Sequence, residues 1–311
     1  MELAESTVLV TGGAGFIGSH LSERLSERAD ELVVVDDLFA GESEYVPDDA
    51  AFYEQDIRST EFAETVREVA PDAIVHLAAI HHIPYCNDHP EEAFEVNTMG
   101  TRTLLEAARG VENLQKVVFT STAAVYEPGE GPHRETDEPG PIDIYGRTKL
   151  VSEDLLEKFS AETDVPAASA RLFNVYGTNE TNAHLIPAIL DQLRDGARDV
   201  QLGNLSPGRD FVHVTDVADA LVALLDEFDD SYRAYNVGTG TEHTVREVVE
   251  HTERALGEPI DLSQDQERVR ESDRPHLRPS VERIEREVGW SADIEFTDGL
   301  RELLEAEGIR E

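Results

Sequence analysis

Tyr145 and Lys149 stand four residues apart in the stretch YGRTK, in a chain whose only other lysines are Lys116 and Lys158. On a helix that spacing puts both side chains on one face. A phenol with its ordinary pKa near 10 is a poor base at neutral pH. An ammonium about 5 Å away, at an effective dielectric near 20, favours the phenolate by roughly 3 kcal/mol, or over two pKa units. A compact ammonium can also donate to neighbouring hydroxyls, which arginine's planar fork is less well shaped to do. Thr122 closes the apolar run KVVFTST, 23 residues before Tyr145. Its hydroxyl can hold a substrate oxygen while a proton leaves it. Together the three groups suit abstraction of a proton from a substrate hydroxyl, with the hydride on the same carbon going elsewhere.

The hydride acceptor is implied near the N-terminus. In TGGAGFIGSH, Gly12, Gly15 and Gly18 follow a β-branched run and precede a helical pattern, with Phe16 and Ile17 between the last two glycines. The first glycine permits a tight turn, the second lets backbone approach a pyrophosphate, and the third lets helix pack on strand. Asp36 ends the next apolar run, ELVVVDD, 18 residues after Gly18 and just before Asp37. A carboxylate there accepts hydrogen bonds from ribose hydroxyls and repels a 2′-phosphate, so NAD is expected rather than NADP. His81, His82, Cys86 and His89 match no standard zinc spacing, and no metal is expected.

These groups need a scaffold that brings strand ends together. Runs at 7–12, 31–37, 51–56, 73–79 and 116–121 are β-branched and apolar, and they alternate with segments of helical period such as Phe16, Leu21 and Leu25. That alternation predicts an α/β fold: a Rossmann-type doubly wound parallel sheet with helices on both faces. The Pro-, Gly- and acid-rich stretch 127–143 reads as a long loop that could cover a cleft. After Gly177 the pattern loosens, with helices expected near 184–193, 217–225, 245–256 and 300–306. The expected division is therefore 1–176 as the cofactor-binding domain and 177–311 as a smaller α/β substrate domain. Strands near 211–214 and 234–237 are candidates to rejoin the first.

The chain's 66 acidic and 26 basic residues give a formal net charge of −40 over 311 residues. Such a surface repels nucleic-acid phosphates and anionic membranes, which excludes both as partners. Abundant Asp and Glu with almost no lysine resembles proteins of halophiles, in which molar salt shortens the Debye length to about 3 Å. Low salt is expected to destabilise the fold. With Cys86 the single cysteine, no intramolecular disulfide can form. No leader pattern and no long apolar run are seen, so a cytoplasmic location is expected.

TGGAGFIG, VVVDDL, HLAA, STAAVY, YGRTK, RLFNVYG, GRDFVHVTDVA and YNVGTG together resemble the extended short-chain dehydrogenase/reductases, and within them the nucleotide-sugar epimerases of the UDP-glucose 4-epimerase type. The resemblance spans nearly the whole chain. It implies that Asp56 and Ile57 lie beside the adenine, that Leu77, Ala78, Ala79 and Asn97 also contact the cofactor, and that Lys149 binds the nicotinamide ribose. It places His81, Thr122, Asn174, Arg209, Arg270, Asp273 and Leu277 around a nucleotide-sugar substrate, expected to be a UDP-hexose. Leu277 falls where such epimerases carry a gate beside the sugar's 2-substituent. A homodimer built on helices near 90–109 and 145–163 is also implied. Dehydratases of the family carry Asp-Glu directly after the catalytic threonine and decarboxylases commonly Ser-Glu. Here Ala123-Ala124 follows Thr122, which favours epimerisation over either. A dehydrogenase that releases its keto product and a non-catalytic NAD-binding protein are the remaining alternatives.

Overall fold

The computed structural model describes residues 1–180, 184–194, 196–269 and 274–310. Arg270 and Asp273, expected at the substrate, lie outside them. The strands are β1 (Thr7–Thr11), β2 (Glu31–Asp36), β3 (Ala51–Glu54), β4 (Ala73–His76), β5 (Lys116–Thr122), β6 (Ala167–Leu172), β7 (Asn174–Tyr176), β8 (Asp199–Leu202), β9 (Gly208–His213), β10 (Arg233–Val237), β11 (Glu242–Thr244) and β12 (Asp261–Gln264). Seven form one parallel sheet in the order β3-β2-β1-β4-β5-β6-β10. The order reverses at β1 and β4, and in such sheets ligands bind at the carboxyl ends beside that reversal.

Side chains alternate across this sheet. Val8, Val10, Val34 and Val75 pack on one face with helices Phe16–Ser26 and Val214–Glu227. Leu9, Val33, Val35 and Ile74 pack on the other with Phe62, Leu104, Leu156 and Phe159. Because both faces are covered, the strands are apolar throughout rather than alternating. β7, β9 and β11 form a second sheet, β8 and β12 a third, and these pack with helices Leu185–Leu193, Val245–Leu256 and Phe296–Ala306.

Of the two late strands considered as returning to the main sheet, β10 does, pairing with β6. The strand near 211–214 does not. It is β9, which pairs with β7 on one side and β11 on the other, so it belongs to the small sheet. The helix that follows it, Val214–Glu227, nevertheless packs on the large one. Loop 127–143 also differs from expectation. His133 bonds the backbone of Arg278 and Ser280 and stacks on Tyr126, and Glu135 accepts from the Asn236 amide. The loop is thereby tied behind Tyr126, and only Ile142 and Asp143 from it reach the main cleft.

Helix Ile144–Thr163 carries the Tyr145-Lys149 pair, and Asp143 caps its start by accepting from Gly146 N–H at 2.7 Å. A buried ion pair sets its height against the sheet. Arg171 on β6 donates to Glu153 through Nε at 3.0 Å and Nη2 at 2.6 Å, and its Nη1 reaches the Tyr126 hydroxyl at 3.0 Å. Tyr126 in turn donates to Asn236 on β10 at 2.6 Å. Removing only one partner of such a pair strands a charge in the interior. Arg171→Met should therefore cost about 3–5 kcal/mol of unfolding free energy, with most of it recovered by Arg171→Met/Glu153→Leu. Denaturant unfolding of both variants checks this, and a single-variant loss below about 1 kcal/mol would contradict it.

Candidate active site

The carboxyl ends of β1, β2, β4 and β5 open into a cleft of about 1180 Å³ that continues between the large sheet and the β7-β9 sheet. Gly12, Gly15, Phe16, Ile17, Gly18, Asp36, Asp37, Ile57, Leu77, Ala78 and Ala79 line its first half. Gly12 has φ +75°, and a Cβ there would lie 2.6 Å from the Ala78 nitrogen. At Gly18 it would lie 1.9 Å from the Gly12 carbonyl oxygen, so helix and turn meet only because both are glycine. A Cβ on Gly15 would meet nothing closer than 3.4 Å, leaving room on that side for a ligand's phosphates. Asp36 accepts from Ala14 N–H at 3.0 Å and Leu38 N–H at 2.9 Å, so it braces the glycine turn while its carboxylate lines the cleft. Burial pushes its pKa upward. The glycine cradle, the helix start and the carboxylate at the β2 end fit a dinucleotide.

Two of the residues expected beside the cofactor have their side chains engaged by neighbouring groups. Asp56 is engaged by Arg58, with Nη2 to Oδ2 at 2.5 Å, and it is Arg58 that reaches the cleft. Asn97 lies behind the cleft wall. Its amide accepts from Ile80 N–H at 2.8 Å and donates to Ile80 O at 2.9 Å and to Thr148 Oγ1 at 3.0 Å. A π turn over Glu95–Gly100 rotates it inward, and Gly100 permits this because Ile57 occupies the space of a Cβ. Asn97 thus joins the β4 loop to the catalytic helix. Such a break in helical period leaves no trace in apolar spacing.

Thr122, Tyr145 and Lys149 converge where the two halves of the cleft meet. The Thr122 hydroxyl neighbours the Tyr145 phenol. Thr122 Oγ1 also accepts from Ala124 N–H at 3.1 Å, which fixes its rotamer. Lys149 Nζ donates to Thr120 O at 2.8 Å and sits over the Phe119 ring at 4.6 Å. The electrostatics correct the estimate made from spacing. Burial raises the Tyr145 pKa, and the neighbouring Thr122 hydroxyl works against that rise. Burial also pushes the Lys149 ammonium down to about 7, because a fully enclosed cation loses its hydration.

The other half of the cleft is lined by His81, Asn174, Arg209 and Leu277, as the sequence implied, and by Glu180, His184, Arg268 and Arg274, which it did not single out. Arginine is the ordinary cation of this chain, so neither Arg268 nor Arg274 stood out. His81 is neutral, its pKa held down to about 4 chiefly by burial. His184 pairs with Glu180 at 2.7 Å. Cys86 is buried, donates to Ile80 O, and has its pKa pushed up to about 11 by burial, which suits a packed thiol rather than a nucleophile. Among the described residues no cluster of His, Cys, Asp and Glu could hold a metal. Nor is any of their helices long and apolar enough to cross a membrane.

A model of the NAD dependent epimerase/dehydratase family matches residues 8–238. This chain belongs to that family. It is 36% identical over 270 residues to a UDP-glucose 4-epimerase of Streptomyces lividans, covering 81% of this chain and 82% of the relative. Its fold is similar to that of the Thermotoga maritima UDP-glucose 4-epimerase solved with UDP-glucose, at TM-score 0.89 and 29% identity over 96% of this chain and 97% of that one. The Thermus thermophilus UDP-glucose 4-epimerase in complex with NAD gives TM-score 0.87 and 32% identity, covering 97% and 99%.

Under the cleft floor His76 is fully enclosed, with Nδ1 2.6 Å from Thr11 Oγ1 and Nε2 2.9 Å from Thr101 Oγ1. Burial holds its pKa down to about 3 from 6.5. The unfolded chain takes up this proton near pH 6.5 and the folded one only near 3, so stability present above 6.5 is lost as pH falls through that window, by roughly 5 kcal/mol at its end. Asp210, raised to about 6, acts in the opposite sense. The difference between wild type and His76→Gln isolates the histidine: unfolding free energy of the variant should fall less steeply between pH 6.5 and 4.5. Parallel profiles would show that His76 is not held neutral.

Proposed function

We propose that this chain, an NAD-dependent nucleotide-sugar 4-epimerase by its family and relatives, acts on a UDP-hexose with Tyr145 as the base, Thr122 as the substrate-oxygen holder and Lys149 as their cationic support. The observation that supports this reading is that Tyr145, Thr122 and Lys149 line the same cleft as the dinucleotide cradle. The alanines at 123 and 124 add no acid or base for elimination.

In this reading the Tyr145 oxygen takes the proton of the sugar's C4 hydroxyl while Thr122 holds that oxygen, and the C4 hydride departs to the nicotinamide side of the cleft. When bound, NAD⁺ would supply the hydride acceptor and a positive charge. That charge matters because burial otherwise raises the Tyr145 pKa. Once the 4-keto sugar has turned in the cleft, Tyr145 gives the proton back to the same oxygen, and the bound cofactor would be regenerated. Residues 1–176 supply the cofactor half of the cleft together with His81 and Asn174 on the substrate side, and 177–311 supply most of the nucleotide-sugar half, with Arg209 among its substrate contacts; β10 returns to the first. Exposed Phe94, Met99 and Val151 on helices of the first half support a homodimer. The acid-rich composition supports a halophilic, cytoplasmic protein.

The test is turnover of UDP-glucose and UDP-galactose with products resolved chromatographically. Interconversion without net NADH is expected, and accumulating NADH would identify a dehydrogenase instead. Tyr145→Phe should lower kcat by about 10²–10⁴-fold while leaving NAD affinity nearly intact.

Leu277 bounds the sugar pocket and packs against Ala123, Val125, Tyr126 and Phe173. Leucine is shorter than the tyrosine that narrows such pockets, so N-acetylated UDP-hexoses should be accepted alongside UDP-glucose and UDP-galactose. Leu277→Tyr should selectively impair the N-acetylated substrate. Equal loss on both substrates would reject the gate.

A further inference from the structure

The cleft has two walls, and the Arg274 side chain is one that joins them. Residues 274–277 lie along β9: Gly208 N–H donates to Pro275 O at 2.8 Å and Asp210 N–H to Leu277 O at 3.0 Å. His276 adds a bond to Glu242 on β11 at 2.6 Å. This backbone belongs to the substrate wall. From it the Arg274 side chain crosses to the catalytic wall, where Nη1 donates to Tyr126 O at 3.0 Å and Nη2 to Ala124 O at 3.2 Å. Nη2 also stands 3.7 Å from Asp143 Oδ2. Arg274's own carbonyl accepts from Arg209 Nη1 at 2.7 Å.

Each end of this bridge touches the reaction machinery. Ala124 N–H bonds the Thr122 hydroxyl, so the carbonyl held by Arg274 belongs to the same turn that fixes Thr122. That carbonyl also lies against the first turn of the catalytic helix, where a Cβ on Gly146, next to Tyr145, would be 2.5 Å from Ala124 O. Asp143 caps the same helix through Gly146 N–H. Two of the three contacts of one guanidinium therefore bear on this machinery: Ala124 O on Thr122 and the helix start, and Asp143 on the helix cap. At the other end its backbone is gripped by Arg209, the proposed substrate contact.

We propose that Arg274 is a positioning residue that couples the substrate wall at Arg209 to the placement of Thr122 and Tyr145. Its guanidinium is spent on carbonyls and on Asp143, so it acts through the groups it holds. Misplacement of reacting groups by even 1 Å costs about 10²-fold, which is the scale on which such a bridge operates. A lysine carries the charge but lacks the fork that reaches two carbonyls at once.

The mechanistic half rests on the epimerase reading, and the experiment has an arm that does not. Hydrogen exchange on the NAD-loaded protein, with no sugar added, should show faster exchange in Arg274→Met than in wild type at amides 124–126 and 146–147, with helix Phe16–Ser26 unchanged. Unchanged exchange at those amides overturns the proposal whatever the enzyme's substrate. In turnover of UDP-galactose, Arg274→Met should lower kcat at least about tenfold with KM and UDP inhibition within about threefold of wild type, and Arg274→Lys should fall between. A raised KM with kcat kept would make Arg274 a substrate contact and overturn positioning. If Arg274→Met does not fold, Arg274→Lys decides by the same two measurements: faster exchange with lowered kcat supports the proposal, and wild-type values of both overturn it. Wild type that turns over no nucleotide sugar would count against the epimerase reading alone, leaving the exchange result to judge the bridge.

Discussion

Everything at this site depends on holding the helix Ile144–Thr163 at one height against β5 and β6. Tyr145 must meet Thr122, and neither belongs to an element the other pairs with. The Glu153-Arg171 ion pair provides this constraint from one turn beyond Lys149. Apolar packing by Leu156 and Phe159 is tolerant of small slides along the helix axis, whereas a bidentate charge pair enclosed in low dielectric is not. The pair continues through Tyr126 and Asn236 to β10, so the catalytic helix is registered against the edge strand of the sheet as well.

Burial gives the site both its selectivity and its electrostatic difficulty. Two of the three lysines, Lys116 and Lys149, are buried in this lysine-poor chain. Lys116 is satisfied by the Leu225 carbonyl at 2.7 Å near a helix C-terminus and by Asp229 at 3.1 Å. Lys149 has the Thr120 carbonyl and the Phe119 ring, and among the described residues no carboxylate within ion-pair distance. That leaves its ammonium weakly supported and its pKa near 7. The phenol beside it is pushed the other way, toward keeping its proton. Burial thus opposes ionisation of both groups, and a positive charge brought into the cleft would favour the phenolate.

The two walls of the cleft differ in how they are made. The cofactor wall is a set of parallel strand ends with a glycine turn braced by Asp36. The substrate wall is assembled from β7, β9 and the segment after residue 273, and its strands reach the large sheet only through connections. Contacts that cross from one wall to the other, Arg274 above all, therefore matter more than their number suggests.

The amino-acid sequence by itself determined the parallel sheet, because strands covered on both faces must be continuously apolar and VLV, VVV, AIV and VVF can be little else. It determined the glycine cradle too, since Gly12 and Gly18 are required by local backbone approach. It also determined the Tyr145-Lys149 face, which follows from helical spacing. Tertiary structure alone decided that β9 joins the small sheet, since a short apolar run does not state its pairing partner. It turned Asn97 behind the wall and Asp56 onto Arg58, which depends on a π turn and on a neighbouring cation. It also reversed the expected shift at Tyr145. Spacing says which groups are near one another, whereas desolvation depends on everything that closes over them.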